Sequence, residues 1–314
     1  WLPEEIIVGG VYGNGQFRLA AIDPAQLTFT HITDAAAVES PLAVDTSLTE
    51  VYWNSLNGQP LPATLQEARE YADRLEERYG VTILLSAQAQ EACDAVWDAT
   101  ITTTDQWPLE DEPHAIARML EALDRTLALY PDGFFRQMKN TMGEGGVRFM
   151  PVGHIENAVN AIGLTYETYG WQNIYIDVTI DAFDGTICHE IWHAIEGVLL
   201  TRNWDAINQE EWAACNPAGF SYNEDAETPD SNPERWTFFY EFSAQDVYFV
   251  DAYSRTNAKE DRARIMEYIM ATEDVAGALV QSPAIAQKLQ IMCRAIRENF
   301  DTSSWGELRW ERVL

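Results

Sequence analysis

Basic residues are scarce in this sequence. Lys and Arg number 20 against 50 Asp and Glu over 314 residues, a formal charge of −30. Neutralising phosphate needs clustered cations, so nucleic-acid binding is excluded. The same charge disfavours docking on an anionic membrane surface and favours solubility. No apolar run approaches the roughly 18 residues of a transmembrane helix, so no membrane span is expected. Cys93, Cys188, Cys215 and Cys293 are widely spaced with no CxxC pair, which argues against a cysteine-built structural zinc site. One or two disulfides and free buried thiols both remain open. Internal repeats and low-complexity tracts are lacking. The first residue is Trp1, not Met, so the chain reads as processed or trimmed, and the lack of a signal segment says little about location.

What is present is 46% hydrophobic residues, enough for a large core in one domain or in one domain plus a smaller unit. Ile6-Ile7-Val8 and Gln16 to Leu19 flank Gly13-Asn14-Gly15, a hairpin signal, and Leu27–Ile32 and Val51-Tyr52-Trp53 extend a β-rich segment over residues 1–60. Asn57 to Pro62 reads as a linker. Leu65, Ala68, Ala72, Leu75 and Tyr79 recur at helical spacing and end at Gly80, followed by a short buried strand from Val81 to Leu85. A second helix runs from about Pro113 to Pro131. Val147–Ile155 and Asn173–Ile180 read as strands, the first an edge strand because Pro151 lacks a ladder donor, the second with one buried face. A helix is expected over 185–200, an irregular stretch from Asn203 to Pro233, and helices at about 234–252, 258–272 and 283–300.

The chemistry concentrates in His189-Glu190-Ile191-Trp192-His193. Two histidines four residues apart stack on one helical face and can reach one ion, and neutral imidazole suits Zn²⁺. Glu190 is placed to take a proton from water and return it to a leaving amine. Ile187, Ile191, Ile195 and Val198 form an apolar stripe on another face, Trp192 reads as packing under the site, and Cys188 reads as a small core residue. A catalytic zinc needs a third ligand. The elongated motif with a glycine turn and a third histidine fails, since Glu196 and Leu199 hold those positions. Glu196 is either an acceptor that orients an imidazole or a solvated helix residue. His31, His114 and His154 lie in other segments. The third ligand is therefore expected to be a carboxylate on a later helix, with Glu241, Asp246 and Asp251 among the candidates.

Tyr253-Ser254-Arg255-Thr256-Asn257-Ala258-Lys259-Glu260 resembles the segment that follows the HExxH helix in the lethal-factor-type zinc peptidases, the family containing anthrax lethal factor. A group of bacterial zinc-binding peptidases looks closer still, with the order strand, HExxH helix, Asn-Pro turn and Tyr…Glu-Asp helix. Here that order is Asn173–Ile180, the motif, Asn216-Pro217 and Glu260-Asp261. The resemblance covers roughly residues 63–300 and implies that His189, His193 and Glu260 bind zinc, that Glu190 is the general base, and that Tyr253 hydrogen-bonds the developing oxyanion. The family usually has an acidic residue where this chain has Arg264. The residues alone also allow Glu260 to complete a capping box with Asn257, and Tyr253 to be a packing residue.

The resulting expectation is an α+β, zincin-like metallopeptidase domain over 61–314, a small mixed sheet with an edge strand plus helices, preceded by the β-rich segment 1–60. The expected function is a zinc-dependent endopeptidase acting on extended polypeptide. The alternatives are a non-catalytic zinc-binding surface or adhesion module, and a scaffold whose working part is the β-rich start. Acidity, very few lysines, many aromatics and the family resemblance point to an extracellular or cell-surface bacterial protein.

Overall fold

The computed structural model describes residues 6–11, 17–23, 28–32, 61–157, 161–222, 234–271 and 273–314. The chain divides into two compact units, Trp1–Pro60 and Leu61–Leu314. In the first, β1 (Ile6–Val11), β2 (Phe17–Asp23) and β3 (Thr28–Ile32) form an antiparallel sheet in the order β1-β2-β3. The expected turn at residues 13–15, the strand at 51–53 and most of the linker at 57–62 lie outside the described residues.

The second unit is α+β. Its helix α1 (Leu65–Tyr79) starts on a Thr64/Glu67 capping box and stops at Gly80, whose φ of 75° only glycine adopts without strain. The core is a mixed sheet of five strands in the order β4-β6-β8-β7, with β5 also on β6. These are β4 (Thr82–Ile83), β5 (Thr100–Thr103), β6 (Gly146–Glu156), β7 (Gly163–Thr168) and β8 (Trp171–Asp177). The pairs β4/β6 and β6/β8 are parallel, and β5/β6 and β7/β8 are antiparallel.

Two expectations about this sheet are corrected. The strand with Pro151 is central, not an edge. The Phe149 carbonyl accepts from Leu84 N–H on the β4 side, whereas the Val152 carbonyl accepts from Val178 on the β8 side. Pro151, two residues beyond Phe149, therefore turns its nitrogen toward the junction where β4 has ended and β5 begins at Thr103↔Val152, a place that needs no ladder donor. Among the described residues β7 is one edge, opposite β4 and β5, and the sequence reading missed it. Its hairpin to β8 turns on Tyr169 and Gly170, with φ of 51° and 80°, a two-residue loop of left-handed residues without the usual Asn or Asp signal. Second, β8 buries both faces. Ile174 and Ile176 join the main core, while Tyr175 packs with Met150, Val152 and Ile101 in a second cluster. The strand ends at Asp177, and Ile180 is exposed.

On the main-core face lie α3 (Glu112–Leu127) and the long α4 (Phe183–Arg202), following the short α2 (Gln90–Asp94). The apolar stripe of α4, Ile187, Ile191, Ile195 and Val198, is buried. The segment 203–233 contains a short helix, α5 (Gln209–Ala214), capped by Asn208. Then come α6 (Ala258–Ala271), α7 (Glu273–Leu279) and α8 (Pro283–Asn299). The helix expected at 234–252 does not form. This segment holds a bridge Thr237↔Phe249, one 3-10 turn at Ala244–Asp246, and Trp236 at a φ of 67°. Its backbone bonds across the segment, Tyr248 N–H to the Trp236 carbonyl at 2.8 Å and Phe238 N–H to the Phe249 carbonyl at 2.9 Å, and two further carbonyls are taken from outside. Ser282 Oγ donates to the Val247 carbonyl at 2.7 Å, and Lys288 Nζ to the Tyr248 carbonyl at 2.8 Å. With those partners, a run rich in aromatic residues has little to gain from helical bonds. All four cysteines are buried and free, and burial pushes the Cys188 thiol up to about 12. No helix among the described residues is long and apolar enough to cross a membrane.

A buried ion pair ties the last helices to one another. Lys288 of α8 and Asp261 of α6 meet at 2.7 Å with both side chains fully enclosed, and Tyr222 donates to the same Asp261 oxygen at 2.7 Å. Removing one member strands the other charge in the core. Asp261→Ala is expected to lower unfolding stability by about 3–5 kcal/mol. The double variant Asp261→Leu/Lys288→Met should lose less than either single change. Urea unfolding midpoints measure this, and a single-variant loss below about 1 kcal/mol would contradict the assigned role.

Candidate metal centre

Helix α4 turns His189 and His193 onto one face, with their Nε2 atoms 3.1 Å apart. Across from them α6 begins. Asn257 caps it, its Oδ1 accepting from the N–H groups of Lys259 at 2.9 Å and Glu260 at 3.0 Å. That cap fixes the first helical turn, from which Glu260 reaches the histidines instead of folding back on the cap. Glu260 Oε2 lies 3.0 Å from His189 Nε2 and 3.4 Å from His193 Nε2. Three ligand atoms around a tetrahedral zinc with bonds of about 2.05 Å are about 3.3 Å apart. The observed triangle of 3.0, 3.1 and 3.4 Å fits that size. Among the described residues, His189, His193 and Glu260 are the group of His, Cys, Asp and Glu able to hold a metal ion.

The donor chemistry fits as well. His189 Nδ1 sits 3.1 Å from Glu267 Oε2, so it donates there and leaves the Nε2 lone pair for a cation. Glu267 lies two turns beyond Glu260 on the same face of α6 and is held in turn by Arg264 Nη1 at 2.5 Å. Arg264 also pairs with Asp251. Arg264, where the resembling family has an acid, thus positions Glu267, the carboxylate that orients the imidazole. The glutamate's spacing of seven residues from Glu260 is the signal that sequence reasoning passed over.

Charge around the site is strongly negative. Burial alone would lower the His189 pKa, but the carboxylates of Glu260 and Glu267, with the charge of Glu190, outweigh it and raise it to about 10. Burial would raise Glu260, yet its hydrogen bonds with His189 and His193 hold it well below the usual carboxylate range. A site that binds a proton this tightly is built for positive charge.

Glu190 is buried beside His189, its Oε2 2.8 Å from the Thr165 hydroxyl on β7. Gly163, on the same strand face, lets β7 approach α4. A Cβ there would lie 2.8 Å from Glu190 Cγ and 2.6 Å from Thr186 Cγ2. Neither β7 residue was anticipated, because the strand itself was not. Tyr253 stands on the rim in a 3-10 turn, 42% exposed, its ring centroid 6.2 Å from that of His189. Burial and the facing Glu260 push its phenol pKa up, so it stays a donor. All five anticipated residues line one cleft of about 380 Å³.

The other candidates lie elsewhere. Glu196 is neither an imidazole acceptor nor solvated. It is 4% exposed, takes Arg262 of α6 at 2.6 and 2.8 Å, and accepts from the indole of the fully buried Trp192. Asp251 serves Arg264 and Ser254, Glu241 accepts from Trp236 N–H, and Asp246 is exposed. His114 lies in the first turn of α3, and His154 pairs with Asp177 at 3.2 Å. No protein-family model, curated protein or solved structure matches this chain.

Two outcomes follow for metal binding. Glu267→Gln should weaken zinc affinity by about 10- to 100-fold while the fold persists, as measured by competition with a chromophoric chelator. An unchanged affinity would remove Glu267 from the centre. In the cation-free protein His189 is protonated below about 10, above its ordinary value, and that proton must leave when a cation binds. Apparent affinity should therefore rise with pH, by about a hundredfold over two units in the neutral range, with proton release on binding visible by calorimetry in buffers of different ionisation enthalpy.

Proposed function

We propose that this chain is a zinc-dependent endopeptidase with a zincin-like catalytic domain over residues 61–314. The observation that carries the reading is the convergence of His189, His193 and Glu260 from two helices, with Glu190 beside them in an open cleft. A purely structural site needs neither a carboxylate poised next to the ligands nor an access route. A zinc ion held there would supply Lewis acidity toward water and toward a substrate carbonyl.

The chain's own residues supply the rest. Glu190 accepts a proton from the attacking water as the new C–O bond forms. It passes that proton to the amide nitrogen as the C–N bond breaks, which regenerates the carboxylate. The Thr165 hydroxyl, 2.8 Å from Oε2, fixes the carboxylate's orientation. The Tyr253 phenol, kept protonated, donates to the carbonyl oxygen as negative charge develops on it. Among the described residues β7 is paired on one side only, with β8, so its other side can take an extended peptide by strand addition.

Glu190→Gln should keep its zinc and lose hydrolysis of a diverse peptide library by about 10²-fold or more, and Tyr253→Phe should lower kcat more than it raises KM. Glu260→Ala should lose zinc where Asp246→Ala does not. Zinc-loaded wild-type protein that cleaves nothing in the library would overturn this reading and favour a zinc-binding module without catalysis.

A further inference from the structure

The cleft continues past His193 along α4, and its floor there is the side chain of Gln172 on β8. Gln172 shares the strand face of Ile174 and Ile176, which turns it toward α4. It is 4% exposed, and its amide lies against Gly197, where a Cβ would come within 2.8 Å of Oε1 and 3.1 Å of Nε2. The glycine is what makes room for it. The Gln172 amide lines the cleft and, among the described residues, makes no side-chain hydrogen bond, while its polar atoms stay open to the cleft and are not sealed in the core. An amide held in place by a nearly buried side chain and open only to the cleft is positioned to bond a substrate group that displaces solvent there.

Glu167 stands directly across the hairpin from Gln172, on the same face, and cross-strand neighbours sit about 5 Å apart at Cβ. Glu167 is exposed, and its Oε1 accepts from Gly170 N–H at 3.1 Å, which leaves the other oxygen available. Leu200, one turn beyond Glu196 on α4, adds an apolar wall. The cation among the lining residues, Lys259, belongs to α6 and not to the strands and helix that form this end. An amide oxygen, a carboxylate and an aliphatic wall match a long side chain with an apolar stem and a cationic head. The net charge of −30 draws such chains in.

We infer that the Gln172–Glu167–Gly197 end of the cleft is a subsite for an Arg or Lys side chain of the polypeptide, and so sets cleavage specificity. This rests on the peptidase reading for its biological use, but its test does not depend on turnover. Zinc-loaded Glu190→Gln protein is titrated with labelled, otherwise uncharged hexapeptides in matched pairs that differ by one Arg replaced by norleucine, the Arg walked through every position. Fluorescence anisotropy should show one position at which Arg binds about tenfold tighter. That preference should fall below about threefold in both Gln172→Leu and Glu167→Gln, with zinc content unchanged. Equal binding of both peptides at every position, no binding of either, or a preference that survives both substitutions would overturn the subsite. Wild-type protein on the same peptides separates the two ideas. Arg-preferring binding without any cleavage sinks the hydrolytic reading and keeps the subsite, while cleavage indifferent to Arg does the reverse.

Discussion

Glu260 can share an ion with two imidazoles on another helix only if α4 and α6 are held at one separation, and the buried Glu196–Arg262 pair holds them. Arg262 sits two residues after Glu260, and Glu196 three after His193. The pair closes with two short hydrogen bonds in a nearly water-free layer. In that environment a loose geometry would strand charge at high cost, so the pair tolerates one arrangement of the helices. The indole of Trp192 completes the acceptor set on Glu196, and Asp261 with Lys288 repeats the device between α6 and α8.

Above this clamp the candidate centre carries an excess of negative charge, which favours a cation. Glu190, Glu260 and Glu267 surround His189, while Arg264 relieves only the outermost of them. The relay from Asp251 through Arg264 and Glu267 to His189 keeps the imidazole orientation fixed from a distance of two residues or more. The direction of the imidazole is then a property of the packed helices.

The sheet contributes by proximity. Only a glycine at 163 allows β7 to lie against Glu190, and only a glycine at 197 admits the Gln172 amide to the cleft. Both positions trade side-chain packing for access, and both fall where an edge strand and the motif helix bound the same channel.

Local sequence determined the helix with its paired imidazoles, its buried apolar stripe, and the caps at Thr64 and Asn257. Each follows from a periodicity of 3.6 or from a side chain reaching its own backbone. Tertiary structure decided the rest. The place of Pro151 in a central strand depended on where two neighbouring strands end, and the role of Glu196 on an arginine 66 residues away. The helix expected at 234–252 gave way to bonds between its two ends, Phe238 to Phe249 and Tyr248 to Trp236, with Ser282 and Lys288 taking the Val247 and Tyr248 carbonyls. Glu267 and Gln172 gain meaning only from what faces them, since a carboxylate or an amide carries no mark in sequence of the partner that folding will bring, or withhold.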